Sequence, residues 1–366
     1  MEKITVVGVG RMGLCFALAL ENAGFDVLGL DIVEDYVERL NSKKLNSSEP
    51  NVSEYLSKSN NFKATTDLEE ALDFSNTIFV MLRTGNVESG KYDHRYIEVL
   101  LKDMQKLGRR ETFKDIIICS NVSPGYSNEI QERLRGMNYV VSFNPEWIAQ
   151  GRIIHDFENP DMVIIGTSSV ASGDKIERIH KTMCNNDPKI CRMDRKSAEI
   201  VKIGLNSFLT VKIAYANLLG EIAINSGVAP APILEALGSD SRICDKYFKY
   251  GFGYGGPCFP RDVRSFIYYG KEVGVEPNIV EAVIEANKNH TDFQVEHFIK
   301  THSKSNPVTV DHVAYKQGTV IIDESQQLLF AVKIAKAGYA VIIKECKEII
   351  DQIEDIYGGL FKYEEK

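Results

Sequence analysis

Near the start of the chain, Gly8, Gly10 and Gly13 stand in the order Gly-Val-Gly-Arg-Met-Gly, between the β-rich run Ile4-Thr-Val-Val7 and a run with apolar residues at helical spacing. At a strand-to-helix turn this spacing suits a dinucleotide. The first glycine makes the tight turn, the second lets the backbone approach a pyrophosphate, and the third lets helix and sheet pack closely, while the helix N-terminus turns its N–H groups toward the phosphates. Asp31 closes the next apolar run. An acid there accepts from a ribose 2′-hydroxyl and repels a 2′-phosphate, so it selects NAD over NADP.

Other groups could act on a substrate. Cys258 lies in Gly-Gly-Pro-Cys-Phe-Pro-Arg-Asp, ahead of Asp262. On so stiff a loop it reads either as a nucleophile, if a cation lowers its pKa, or as an inert buried thiol. Lys202 and Asn206 are four residues apart in a helical run and share a face. A cation among apolar neighbours suits an alkoxide; the other reading is a snorkelling lysine beside a solvated amide. Glu146, in Asn-Pro-Glu-Trp, follows a predicted strand, where doubly wound sheets keep their ligands; it could activate water or serve as a helix N-terminal acid. Arg242 suits an anionic or hydroxyl-rich ligand, or a surface ion pair. His290, His297 and His302 match no metal pattern and read as helix-surface residues; no metal site is expected.

The elements that must position these groups alternate. Strands are expected at 4–10, 26–31, 77–82, 115–119, 139–143 and 162–166, and helices at 12–23, 34–41, 67–73, 93–107 and 127–135. Strand, helix and strand in so short a span make a βαβ unit and a parallel sheet. From 197 to 226 runs a long helical pattern whose apolar positions cover more than one face, as in a helix buried between neighbours or subunits. Shorter helices are expected at 230–237, 262–273 and 277–289, interrupted by the glycine-rich loop 251–260. The tail returns to strands at 308–314 and 340–343 and helices at 324–337 and 346–356. The expected architecture is α/β: a Rossmann-type doubly wound domain (1–190), a central long-helix domain with the catalytic loop (191–302) and a short C-terminal α/β domain (303–366).

Composition narrows the class. The chain has 366 residues, 44% hydrophobic and 26% charged, with 43 Lys and Arg against 51 Asp and Glu. A net charge of −8 argues against general nucleic-acid binding. No uncharged run approaches the ~18 apolar residues of a membrane helix, and the strand that begins at Ile4 leaves no signal-peptide layout. Seven scattered cysteines without a Cys-x-x-Cys pair suggest reduced thiols in the cytoplasm.

Together these motifs resemble the UDP-glucose/GDP-mannose dehydrogenase family of nucleotide-sugar 6-dehydrogenases. The likeness is carried by Ser241-Arg-Ile through Asp262, by Ala198-Glu-Ile-Val-Lys-Ile-Gly-Leu-Asn206 with Lys212-Ile-Ala-Tyr-Ala-Asn217, and by Phe143-Asn-Pro-Glu-Trp-Ile-Ala-Gln-Gly151 with Asn159 to Gly166. The resemblance implies a homodimer that oxidises a sugar CH2OH to a carboxylate with two NAD, in polysaccharide biosynthesis. It makes Cys258 the nucleophile that forms a thiohemiacetal and then a thioester. Lys202 and Asn206 would stabilise the oxyanion, Asp262 would position the lysine and water, and Glu146 would assist water attack. Gly8, Gly10, Arg11, Met12, Gly13, Asp31, Thr84 and Asn121 would hold NAD. Trp147, Ile148, Arg242, Tyr247, Lys249, Gly253, Gly255, Gly256 and Lys316 would contact a nucleotide sugar, a UDP-sugar in preference to a GDP-sugar.

The pattern departs from the family's at several points. Asn121 stands where a threonine is usual, Gln150 for a glutamate, Arg261 for a lysine and Asp323 for an arginine, and the last domain reads as about half its customary length. Two other readings follow: a catalytically weakened NAD- or nucleotide-binding scaffold, and a two-electron hydroxy-acid dehydrogenase, which leaves the Gly-Gly-Pro-Cys loop unexplained.

Overall fold

The first 202 residues alternate strand and helix because their apolar runs keep changing period. In the computed structural model, which describes residues 1–366, they form one of two compact units, Met1–Lys202 and Ile203–Lys366. The first unit runs β1 (Lys3–Val7), α1 (Arg11–Asn22), β2 (Asp26–Leu30), α2 (Glu34–Asn41), α3 (Val52–Lys58), β3 (Phe62–Thr65), α4 (Leu68–Phe74) and β4 (Thr77–Val80). A two-strand ribbon of β5 (Gly85–Asn86) and β6 (Tyr92–Asp93) follows, then α5 (Arg95–Leu107), β7 (Lys114–Ile118), α6 (Tyr126–Arg133) and β8 (Tyr139–Phe143). The unit continues with α7 (Ile153–Glu158), β9 (Met162–Gly166), α8 (Val170–Met183) and β10 (Lys189–Met193).

Eight of these strands form one sheet in the order β10-β9-β8-β7-β4-β1-β2-β3. Side chains alternate across it. Ile4, Val6, Phe79 and Ile117 enter one core, and Val7, Ile78, Val80, Ile116 and Ile118 enter the other. Both faces are therefore covered, as a parallel sheet requires. The order turns at β1, which pairs with β2 on one side and β4 on the other. That turning point is where open α/β sheets form a crevice at their carboxyl ends. The sheet is not wholly parallel: β8 meets β9 antiparallel, through Phe143 and Gly166, so the last two strands are reversed. Helices α3, α7 and α8 and strands β3 and β10 lie outside the sequence expectation. Short or polar-rich runs such as Phe62-Lys-Ala-Thr65 carry too little periodicity to stand out.

Helix α9 (Arg195–Asn225) is the longest element, at 31 residues. By length and composition alone it could cross a bilayer, its most apolar window having a mean hydropathy of 1.3, although no uncharged run in it is that long. Its polar groups have protein partners: Glu199 is buried, and Lys212 Nζ donates to the carbonyl of Ile243 at 3.0 Å.

The second unit continues with α10 (Pro230–Gly238), α11 (Phe259–Glu272), α12 (Asn278–Thr301), β11 (Val308–Val310), α13 (Gln326–Lys336), β12 (Val341–Glu345), α14 (Lys347–Tyr357) and β13 (Lys362–Glu365). The last three strands form a small parallel sheet, β11-β12-β13. Its core draws on Val313, Leu328, Val341, Ile343, Ile353 and Phe361, with Val295 and Phe298 of α12 packed against it. Helix α12 therefore extends twelve residues beyond the expected 289, because its last turns supply a wall of that core. His290 is a further correction. It is buried, not on the surface; its Nδ1 lies 2.6 Å from Glu221 Oε1 and its Nε2 2.7 Å from the carbonyl of Gly251. His297 and His302 are exposed, as expected.

Candidate active site

In the first unit the candidate residues gather at the carboxyl ends of the strands. Gly8 follows β1, Asp31 follows β2, Thr84 lies beyond β4, Asn121 beyond β7 and Glu146 beyond β8. The glycine turn has the geometry the spacing implied. Gly8 has φ +88°, and a Cβ there would stand 2.9 Å from the carbonyl oxygen of Met81 at the end of β4. A Cβ at Gly13 would collide with the carbonyl oxygen of Gly8, whereas one at Gly10 meets nothing within 4 Å. Two glycines are thus needed by the protein itself, and the middle one faces open space where a phosphate can approach the backbone. Asp31 turns one carboxylate oxygen to the Val33 N–H at 3.3 Å, which leaves the other for a ribose hydroxyl. These residues fit a bound NAD, and Arg11 and Met12 open α1 beside them.

The segment after β8 is tied to this turn. Arg11 donates to Gln150 Oε1 at 3.1 Å, and buried Glu49 accepts from the N–H groups of Gly151 (3.0 Å) and Ile153 (2.9 Å). Glu146 is buried; Trp147 and Ile148 are half-buried. Lys202, only 8% exposed, donates to the backbone carbonyl of Glu146, and its Nζ lies 4.7 Å from the centroid of the Trp147 ring. An ammonium has three N–H donors, so this anchor leaves donors over for an oxyanion.

Sequence reasoning missed the groups that clamp the loop around Asn121. Glu199, fully buried on α9, accepts from the N–H groups of Gly125 and Ser127 at the start of α6. Burial raises its pKa to about 7. His94 Nε2 accepts from the Ser123 N–H at 3.2 Å, and its ring stacks on Tyr126 at 3.7 Å. Burial lowers the His94 pKa to about 4, which keeps the ring neutral and able to accept. His94 belongs to no motif, and Glu199, although it lies in the Ala198–Asn206 segment, has a role set by contacts more than seventy residues away, which that segment does not reveal.

In the second unit, Cys258 is exposed at the N-cap of α11, and Asp262 lies one turn in, fully buried. Asn206 Nδ2 donates to Asp262 Oδ2 at 2.6 Å and Arg261 Nε to Oδ1 at 2.7 Å, so both carboxylate oxygens are held. Burial pushes the thiols of Cys15, Cys119 and Cys184 upward, Cys184 to about 11, so these three stay protonated. Cys258 instead lies at the positive end of a fourteen-residue helix, where negative charge is favoured.

The remaining candidates are more scattered. Arg242 is 87% exposed and chelated by Asp240, with Nη2 2.7 Å from Oδ2. Tyr247 and Lys249 are exposed on the same stretch. The glycines of the loop have packing reasons of their own. A Cβ at Gly253 would strike Asn287, at Gly255 the carbonyl of Glu324, and at Gly256 the ring of Tyr315. The Gly256 N–H also donates to the carbonyl of Asp323 at 2.9 Å. Lys316 is half-buried beside Tyr315.

The sequence matches the NAD binding domain of the UDP-glucose/GDP-mannose dehydrogenase family over residues 2–184 and that family's central domain over residues 196–289. The chain belongs to this family. It is thereby an NAD-dependent oxidoreductase. A UDP-glucose 6-dehydrogenase of Haloferax volcanii is 27% identical over 354 residues, which cover 93% of this chain and 82% of the relative. The structure of a UDP-glucose dehydrogenase from Pyrobaculum islandicum superposes with a TM-score of 0.89 at 27% identity, covering 100% of this chain and 86% of that one. A GDP-mannose dehydrogenase from Pseudomonas aeruginosa gives 0.62 at 25% identity, over 96% of this chain and 82% of that one.

Proposed function

We propose that this family member oxidises the primary alcohol of a nucleotide sugar to the uronic acid in four electrons, at Cys258. The carrying observation is the exposed Cys258 at the N-terminus of α11, one turn ahead of a buried Asp262 that Asn206 holds. NAD supplies the hydride acceptor, one molecule for each of two transfers.

The chain's own residues do the rest. The Cys258 sulfur adds to the aldehyde carbon, forming a C–S bond and moving the carbonyl electron pair onto oxygen. Lys202, with N–H donors beyond its Glu146 anchor, and the second N–H of Asn206 stabilise that oxyanion. After the second oxidation a thioester remains. Glu146 takes a proton from water as the water attacks the acyl carbon, and the C–S bond breaks to give carboxylate and thiol. Asp262, fixed from both sides, holds Asn206 in position for these steps. Thr84 and Asn121 would help to hold NAD. Trp147, Ile148, Arg242, Tyr247, Lys249, Lys316 and the loop bearing Gly253, Gly255 and Gly256 bind the nucleotide sugar.

A UDP-sugar is favoured over a GDP-sugar, supported by the higher similarity to the UDP-glucose dehydrogenase fold. A homodimer is supported by α9, which exposes Phe208, Tyr215, Leu218 and Ile222 at helical spacing. All seven cysteines are thiols, in keeping with the cytoplasm. The test is a panel of UDP- and GDP-sugars followed by NADH absorbance and acid yield. Two NADH per acid with a UDP-sugar supports the reading, and one NADH per product contradicts it.

A second reading, a weakened enzyme that hydrolyses its thioester slowly, draws on Asn121 and Gln150, two amides where the family carries a hydroxyl and a carboxylate; the Gln150 oxygen is taken by Arg11 at 3.1 Å. Intact-mass analysis after mixing with NAD and a UDP-sugar separates the two, because the weakened enzyme accumulates an acyl adduct on Cys258.

A further inference from the structure

The first unit has a partly open cavity of about 20 Å3, lined by Cys119, Asn144, Glu146, Trp147 and His180 among others. That volume holds one water molecule if two or more polar groups face it. The groups present are complementary. His180 is buried, and its Nε2 lies 2.7 Å from Asn144 Oδ1. Asn144 commits its amide nitrogen to the carbonyl of Ile164 at 2.8 Å, so its oxygen is the acceptor and His180 Nε2 carries the proton. His180 Nδ1 is then a lone pair. Burial drives the His180 pKa down to about 4, so the ring stays neutral at physiological pH. Nδ1 is buried and has no partner within the protein; neither has the indole Nε1–H of Trp147. One buried acceptor and one buried donor belong to the wall of a single cavity of one-water size.

We propose that this cavity holds one ordered water that accepts from Trp147 Nε1–H and donates to His180 Nδ1, and that His180 is a positioning residue for the Glu146–Trp147 segment. The water fixes the plane of the indole. The indole carries the Lys202 ammonium on its face, and the adjacent Glu146 carbonyl is the anchor of Lys202. His180 also braces the start of the segment through Asn144, which binds β9. Orientation of the ammonium thus traces back to a neutral histidine on α8. The positioning role rests on the reading of Lys202 and Glu146 above; the water site does not.

Trp147 is the only tryptophan, so 15N-indole labelling gives a single resonance. The wild-type indole proton is expected downfield, with a cross-relaxation peak to a long-lived water. His180→Gln keeps a donor for Asn144 but lacks the Nδ1 lone pair. In H180Q the water peak is expected to vanish, the resonance to move upfield, and kcat to fall about tenfold with KM for NAD unchanged. A wild-type resonance without a water peak overturns the site even if the variant fails to fold, and so does a resonance unmoved in H180Q. An unchanged kcat in H180Q overturns the positioning role. A water peak in a protein that oxidises no nucleotide sugar upholds the site while the proposed activity falls.

Discussion

Asn206 Nδ2 lies 2.6 Å from Asp262 Oδ2, linking the amide on α9 to the carboxylate in the first turn of α11. The bond fixes the amide's direction and leaves its second N–H for an oxyanion. Asn206→Ala is expected to lower kcat by about 10²–10³-fold with KM for the sugar changed only a few-fold. Steady-state kinetics with the preferred UDP-sugar checks this. A pure KM effect would mean that Asn206 only binds.

The three glycines of the first turn separate into structural and functional positions. Gly13→Ala drives a methyl into the Gly8 carbonyl and is expected to cost roughly 1–3 kcal/mol, visible as a lowered Tm without cofactor. Gly10→Ala meets open space and should leave that Tm unchanged while raising KM for NAD. Equal losses of Tm in both variants would contradict the distinction.

In the proposed function Asp31 sets cofactor choice. Asp31→Ser removes both the acceptor for a ribose hydroxyl and the charge that repels a 2′-phosphate. The ratio of kcat/KM for NAD to that for NADP is expected to fall at least tenfold, on the order of 1.5–3 kcal/mol for a charged hydrogen bond. Measuring both cofactors with one sugar checks it.

The buried Glu199 gives stability a pH dependence. Its native pKa of about 7 lies above the unfolded 4.5, so the folded state keeps a proton that the unfolded chain has lost. Its contribution is full below pH 4.5 and falls as pH rises to about 7, by about 3 kcal/mol. His94 and His180 act with the opposite sign. Their native values of about 4 lie below the unfolded 6.5, so their contribution is present above 6.5 and lost as pH falls toward 4. Glu199→Gln cannot ionise. The Tm of the variant minus that of the wild type should therefore increase from pH 5 to pH 8, and a constant difference would show that Glu199 does not titrate there.

The legible parts of this molecule were those in which one residue type does one job at a fixed spacing. Gly8, Gly10 and Gly13 announced their turn because each answers a separate steric demand, and Asp31 followed at the end of β2. Cys258, Asp262 and Asn206 were named by motif, yet only the fold shows the amide held by the carboxylate. Arg261 read as a departure; its guanidinium in fact binds the second oxygen of Asp262. Gly253, Gly255 and Gly256 were read as ligand contacts, and the fold gives each a close neighbour in its own unit. The roles of His180, His94 and Glu199 were hidden because they lie in long-range partners, Asn144, Ser123 and Gly125, which periodicity does not encode. The reversal of β9 was hidden for the same reason, since a buried strand looks alike in either direction.

The proposed function stands on a covalent link through Cys258 that carries the substrate from aldehyde to acid. The most direct measurement is NADH released per sugar consumed, with intact mass taken in parallel, for the wild type and Cys258→Ser. Two NADH per uronic acid and a transient acyl mass on the wild-type chain are expected, and no acid and no adduct with the serine variant. Full conversion to the acid by Cys258→Ser, or a wild-type enzyme that stops at one NADH, would contradict it.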